Sequence, residues 1–144
     1  MGEECTVLDY QSDNWMNDSP ISHKDHAPFV DKARGTVVLT GLGIGYLPMW
    51  LVMAGQVDRI IILEKDERVR QLVWPHFEKW LIEKGWHNRV LLIMADANQY
   101  VPELQIDFLW VDHFQCPATA SEREAMRALW SGKLDTEITF WDFL

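Results

Sequence analysis

Residues 35–64 read GTVVLTGLGIGYLPMWLVMAGQVDRIIILE, and the run leaves few folds open. Thr36 to Thr40 is β-branched and apolar with no polar alternation, as a strand covered on both faces of a parallel sheet must be. The turn Gly41-Leu42-Gly43-Ile44-Gly45 comes next. Tyr46 to Ala54 then reads as a short apolar helix, with Pro48 near its first turn and Gly55 as its stop. Arg59 to Leu63 is a second apolar strand, and Glu64 stands where it ends. Open α/β sheets take ligands at the carboxyl ends of their strands, and a glycine turn there lets a ligand approach backbone without a Cβ in the way. The outline is that of a nucleoside-cofactor site.

The rest of the chain extends the same alternation. Thr6-Val7-Leu8 and the polar stretch up to Trp15-Met16 fit a small N-terminal β arm or hairpin. Ser22 with Asp25 marks a helix start that Ala27 to Ala33 continues, with Pro28 tolerable only in its first turns. Asp66 caps a helix whose apolar positions Val69, Leu72, Val73, Phe77, Trp80 and Leu81 keep the spacing of one buried face. Pro75 is expected to kink or divide it, and Gly85 to end it. Arg89 to Met94 is a third strand closing on Ala95-Asp96-Ala97-Asn98, with a short helical turn expected around Tyr100 to Leu104. Asp107 to Val111 is a fourth strand closing on Asp112. Ser121 and Glu124 offer a capping box for a helix that Gly132 stops, and Ile138 to Phe143 is a fifth strand.

This order predicts an α/β, Rossmann-like fold: a mostly parallel sheet of about five strands with helices on both faces. At 144 residues and 48% hydrophobic content the chain is expected to form a single domain. Residues 1–34 supply the arm and first helix, 35–112 a cofactor-binding core, and 113–144 the last helix and strand. Its 22 acidic and 13 basic residues give a formal charge of -9, which repels a phosphate backbone, so no nucleic acid is expected as a partner. Cys5 and Cys116 lack the paired spacing of a zinc site or redox motif and read as reduced thiols, so no metal is expected. No run is long enough for a membrane span, and the N-terminus is acidic where a signal peptide is basic; a cytoplasmic protein is the expectation.

Three acids, Glu64, Asp96 and Asp112, fall just past the ends of the second, third and fourth strands. Glu64 lies 23 residues beyond Gly41, where a carboxylate can accept hydrogen bonds from both hydroxyls of a ribose. A solvated strand end paired with Lys65 or Arg68 is the other reading. Asp96 could accept from an adenine amino group, with Ala97 leaving room for the ring, or could merely form the turn. Asp112 could act as a base, hold a cationic group, or simply end its strand. His26 and His113 are candidates for proton transfer, although a lone histidine is more often structural. Cys116 has no obvious activating base. Trp50, Met53, Trp74 and Trp80 follow helical spacing and read as core.

Val37-Val38-Leu39-Thr40-Gly41-Leu42-Gly43-Ile44-Gly45, Ile60-Ile61-Ile62-Leu63-Glu64, Ala95-Asp96-Ala97 and Asp107-Phe108-Leu109-Trp110-Val111-Asp112 together resemble the successive motifs of class I S-adenosylmethionine-dependent methyltransferases. Within that superfamily the chain looks most like the spermidine synthase-like branch, where a β-hairpin and helix precede the glycine motif. It is also similar to compact methyltransferase-like proteins carried by bacteriophages. The resemblance implies S-adenosylmethionine as cofactor, with its methionine portion over Gly41, Gly43 and Gly45 and its ribose on Glu64. It places the adenine beside Asp96 and Ala97, and the reacting centre towards Asp112.

The chain departs from those patterns at several positions. Leu39 stands where most methyltransferases have an acid, and Ile44 where the spermidine synthase branch has an Asp. That branch's Tyr and Glu on the first helix fall near Ser22 and Lys24, and its Asp-rich loop is replaced by His113-Phe114-Gln115-Cys116-Pro117. Asp112 is not followed by the Pro-Pro-Tyr of amino-group methyltransferases, so the acceptor is left unspecified. The full fold also has two further strands for which this length has no room, and a homodimer is one way to cover the edge thus left. Beside a small methyltransferase, two readings stay open: a binding module that keeps the cofactor pocket without an acceptor site, and a NAD-type dinucleotide protein, in which Tyr46 would crowd the pyrophosphate.

Overall fold

The computed structural model describes residues 7–10, 13–17, 20–114 and 118–141, with side chains from residue 24 onward. Cys5 and Cys116 lie outside the described residues. Strands β1 (Val7–Tyr10) and β2 (Asp13–Asn17) pair antiparallel as the expected N-terminal hairpin, and helix α1 (Pro20–Lys32) comes after them. The main sheet contains β3 (Gly35–Thr40), β4 (Val57–Glu64), β5 (Val90–Met94), β6 (Phe108–Val111) and β7 (Thr139–Phe140). Its order is β5-β4-β3-β6-β7, and every pair is parallel. Helices α2 (Tyr46–Ala54), α3 (Glu67–Lys84) and α4 (Ala120–Leu129) complete the Rossmann-like α/β fold.

Being central, β3 must be apolar on both sides, and its alternate residues divide the core in two. Val37 and Leu39 face a cluster with Phe29 and Val30 of α1 and Ala33 just past its end, Leu47 and Leu51 of α2, and Val69, Phe77 and Leu81 of α3. Val38 faces the other cluster, with Leu109 and Val111 of β6 and Met126 and Trp130 from α4 and its end. Helices therefore cover both faces unequally, three on one side and α4 on the other.

Where caps are local, the boundaries follow the residues. Gly55 ends α2 at φ 73°, and Gly85 ends α3 at φ 74°. Asp66 caps α3 by accepting from the Arg68 N–H. Several expectations need correcting. Pro75 does not divide α3, which runs unbroken with Val69, Phe77 and Leu81 buried on either side of it, so packing outweighs the one missing N–H. Pro28 sits well inside α1, because the helix starts at Pro20, which itself suits a first turn.

Residues 100–104 form no helical turn. Asp96 captures the Asn98 N–H with its side chain and the Gln99 and Tyr100 N–H with its carbonyl, and Pro102 has no N–H to extend a helix. The capping box of α4 is Thr119 with Glu122, two residues ahead of the expected frame. Thr-Ala-Ser-Glu-Arg-Glu contains both frames, and the earlier one adds backbone hydrogen bonds without changing the buried side. The fifth strand of the sheet is shorter than Ile138 to Phe143: Thr139–Phe140 pairs with Trp110 and Val111, while residues 142–144 lie outside the described ones.

Candidate functional site

Parallel pairing places the carboxyl ends of β3, β4, β5 and β6 on one rim, and the strand order sets the sequence of side chains along it. Along that rim come Asp96, then Glu64, then the glycine loop, then Asp112. The loop leaves β3 in left-handed backbone, with φ of 105°, 53° and 80° at Gly41, Gly43 and Gly45. Such values explain three glycines in five residues. The loop is fixed at its start, where the Gly41 N–H donates to the Leu63 carbonyl at 2.7 Å and the Leu42 side chain is buried in the core, and at its end, where the Gly45 N–H donates to the Leu42 carbonyl at 3.0 Å. A Cβ at Gly41 would meet open space, so that face of the loop is bare backbone accessible to a ligand. At Gly45 a Cβ would touch Phe77 and Val73 of α3, so this glycine serves the packing of the loop.

Glu64 closes onto the loop. One carboxylate oxygen accepts from the Leu42 N–H at 3.3 Å, and the other from the Lys65 and Asp66 N–H at 2.9 and 3.4 Å. Burial raises its pKa above 4.5, and the three backbone donors work against that rise. The surface-pair reading of Glu64 is not what the structure contains: Arg68 pairs with Asp66 at 2.7 Å, and Lys65 meets Glu64 through its backbone. A carboxylate has about four acceptor positions, and two of the three donors here are long, so sugar hydroxyls can still be accommodated.

Asp96 and Ala97 lie across β4 from the loop. Asp96 Oδ1 accepts from the Asn98 N–H at 2.9 Å, so this acid does form its own turn. Ala97 is buried in the α4-side cluster. On the other flank Asp112 is half-buried but densely surrounded, and this desolvation pushes its pKa up to about 7. The Trp110 indole N–H draws it back slightly, in a geometry short of a full hydrogen bond.

Sequence reasoning passes over two members of this rim. Thr40 reads as one more β-branched strand residue, yet its buried hydroxyl accepts the Asp112 N–H at 2.9 Å and meets His113 Nδ1 at 2.7 Å. Asn98 reads as a turn residue, yet its Oδ1 lies 2.9 Å from His113 Nε2. Only the Thr at the end of an otherwise apolar strand hints at this. His113 itself is no proton shuttle near neutrality, because burial lowers its pKa to about 4; nearby Asp96 and Glu122 oppose that fall and Lys65 adds to it. His26 is buried among aromatic rings, 5.0 Å from Trp110, 5.9 Å from Tyr46 and 6.5 Å from Trp141 between centroids.

The backbone arrangement matches solved structures closely enough to compare. The chain superposes on spermidine synthase from Thermotoga maritima with a TM-score of 0.64 at 14% identity, over 93% of this chain and 48% of that one. The two share one Rossmann-like fold. The N-methyltransferase NodS from Bradyrhizobium japonicum WM9, solved with S-adenosyl-l-homocysteine, gives 0.61 at 14% identity over 85% and 62%. The glycopeptide N-methyltransferase MtfA, solved with sinefungin, gives 0.58 at 18% identity over 81% and 46%. The chain thus spans about half the length of the first of these structures it matches. No protein-family model matches it, and neither does any curated protein sequence.

Proposed function

We propose that this chain binds S-adenosylmethionine on the rim and is a small methyltransferase. The observation that carries the reading is the contact of Glu64 with Leu42, which makes the glycine loop and the acid two sides of one feature. The shared fold supports it, since NodS and MtfA were solved with S-adenosyl-l-homocysteine and sinefungin. The methionine portion would lie over the glycine loop at Gly41, Gly43 and Gly45, on the open side that Gly41 presents, the ribose on Glu64, and the adenine beside Asp96 and Ala97. The cofactor, when bound, supplies an electrophilic methyl on a sulfonium. What the chain's own residues add is position: the loop and Glu64 hold the nucleoside, leaving Asp112 towards the acceptor. A carboxyl whose pKa is near 7 can take a proton from an acceptor close to neutral pH. Such transfers gain most of their rate from alignment, so no further base is required.

Isothermal titration with S-adenosylmethionine, S-adenosylhomocysteine and NAD tests the binding. The first two should bind and NAD should not. Glu64→Ala should weaken both adenosyl ligands by about ten- to a hundredfold, from the charged hydrogen bonds lost. Unchanged affinity in a folded variant removes Glu64 from the ribose site. Tritiated methyl incorporation into a cell extract, compared with Asp112→Ala, separates an enzyme from a module that only binds. We further propose that a second copy of the chain covers the β5 edge of the sheet, where Leu91 and Met94 are exposed.

A further inference from the structure

We propose that His113 is a positioning residue, an imidazole strut from Thr40 at the end of β3 to Asn98 in the turn after β5, which joins the loops on either side of the cofactor rim into one wall. The inference rests on the cofactor reading above and adds a residue that neither the motifs nor the fold comparison assigns.

The distances define the strut. His113 Nδ1 is 2.7 Å from Thr40 Oγ1 and Nε2 is 2.9 Å from Asn98 Oδ1. A carbonyl oxygen only accepts, so with Asn98 in this orientation Nε2 carries a proton and donates it. The Thr40 hydroxyl already accepts from the Asp112 N–H, and its own proton is available to Nδ1. A single neutral tautomer then satisfies every group, and the desolvation of the ring keeps it neutral against Asp96 and Glu122, with Lys65 acting in the same sense as burial. Thr40, at 1% exposure, is a rigid anchor; Asn98 is on the exposed turn.

Topology gives the strut its consequence. Asn98 comes after β5 and His113 after β6, with β4 and β3 between them. Neighbouring strands lie about 4.8 Å apart, so the two strand ends are roughly 14 Å from each other across the rim. The two loops nevertheless meet, and they meet on the α4 side, because Thr40 shares its face with Val38. The other hydrogen bonds that shape the 96–100 turn are local to Asp96. Ala97 packs into the core at its middle and the Ala95 N–H donates to the Glu64 carbonyl just before it, so among the described residues the His113 contact is the side-chain hydrogen bond that ties the exposed part of this turn to the β6 side of the rim, and the turn is where the cofactor reading puts the adenine.

The test is S-adenosylhomocysteine affinity by titration calorimetry, with the melting temperature of each unliganded variant. Asn98→Ala removes the exposed end of the strut and should weaken binding about five- to tenfold with little change in melting temperature. His113→Ala should weaken it similarly, and the double variant should be no worse than the weaker single one. His113→Gln, whose amide can reach Asn98, should recover more affinity than His113→Asn, whose amide reaches only Thr40. The ¹⁵N shifts of the His113 ring should stay those of one neutral tautomer from pH 5.5 to 8. If the wild type binds and both alanine variants bind within twofold of it, the strut is wrong and the cofactor reading stands. If the wild type does not bind, both fall. Should His113→Ala not fold, Asn98→Ala decides alone.

Discussion

Asp112 is the residue whose environment costs the fold most clearly. Its carboxyl is expected near 3.8 in the unfolded chain and near 7 in the folded one, because burial disfavours the charge. Between those values the native state holds more proton than the unfolded state, so stability falls as pH rises. The contribution is complete below about 3.8 and lost by the time pH has passed 7. Asp112→Asn keeps the shape and removes the charge. The variant should therefore be more stable than wild type at pH 8 and little different at pH 4, by urea denaturation at both. Equal stability of the two proteins at pH 8 would show that the carboxylate is solvated after all. The same substitution should abolish a rise of methyl transfer through neutral pH if Asp112 takes the acceptor's proton. Gly41 is the matching case for backbone. Alanine there meets no neighbour but must hold φ 105°, so Gly41→Ala should cost about 1–3 kcal/mol, measured in the same urea titration.

At the scale of elements, legibility tracks how local the cause is. The ends of helices α2 and α3 are readable close to the residue because Gly55, Gly85 and Asp66 act within one turn of the ends they fix, whereas Met53 and Leu72, read as core and buried face from their spacing, are exposed. β3 is readable because a central strand admits no polar side chain except one that finds a partner. Its partnered residue, Thr40, is not, since His113 and Asp112 lie more than seventy positions away in sequence. β4 begins at Val57 rather than Arg59, because the exposed Asp58 reads as loop although its backbone belongs to the strand. The rim acids Glu64, Asp96 and Asp112 are found by position alone; Asp96 bonds within its own turn, whereas the Leu42 contact of Glu64 and the burial of Asp112 depend on tertiary contacts. The start of α4 is misread for a different reason: two equivalent frames stand two residues apart. That choice is testable. Thr119→Ala should cost about 1 kcal/mol in urea denaturation, as losing an N-cap does, and Ser121→Ala a few tenths at most. The reverse ranking would restore the frame at Ser121.

For the whole molecule the unequal clothing of the sheet matters. Three helices pack on one face, while the crossover from β5 to β6 carries no helix, so the α4 side is thinly covered near β5. Leu91 of that edge strand lies on this α4 side, with Ile93, and is 53% exposed; Met94, at an odd spacing from it, belongs to the other face and is 40% exposed. A long apolar edge invites pairing with another chain, and a second copy related by a two-fold axis is the commonest closed solution. Two copies each carrying a formal charge of -9 also repel one another. An association driven by apolar burial along the β5 edge, with Leu91 on its thinly covered side, should then strengthen with salt, as screening shortens the repulsion from roughly 30 Å at 0.01 M to about 3 Å at 1 M while apolar burial persists. Sedimentation equilibrium should show a dimer that tightens between low and high salt. Leu91→Lys should return a monomer at every salt concentration and leave the fold intact by circular dichroism. A wild-type monomer throughout would leave the edge uncovered by its own kind. A dimer that salt weakens would rest on ion pairs, and its interface would have to lie away from β5.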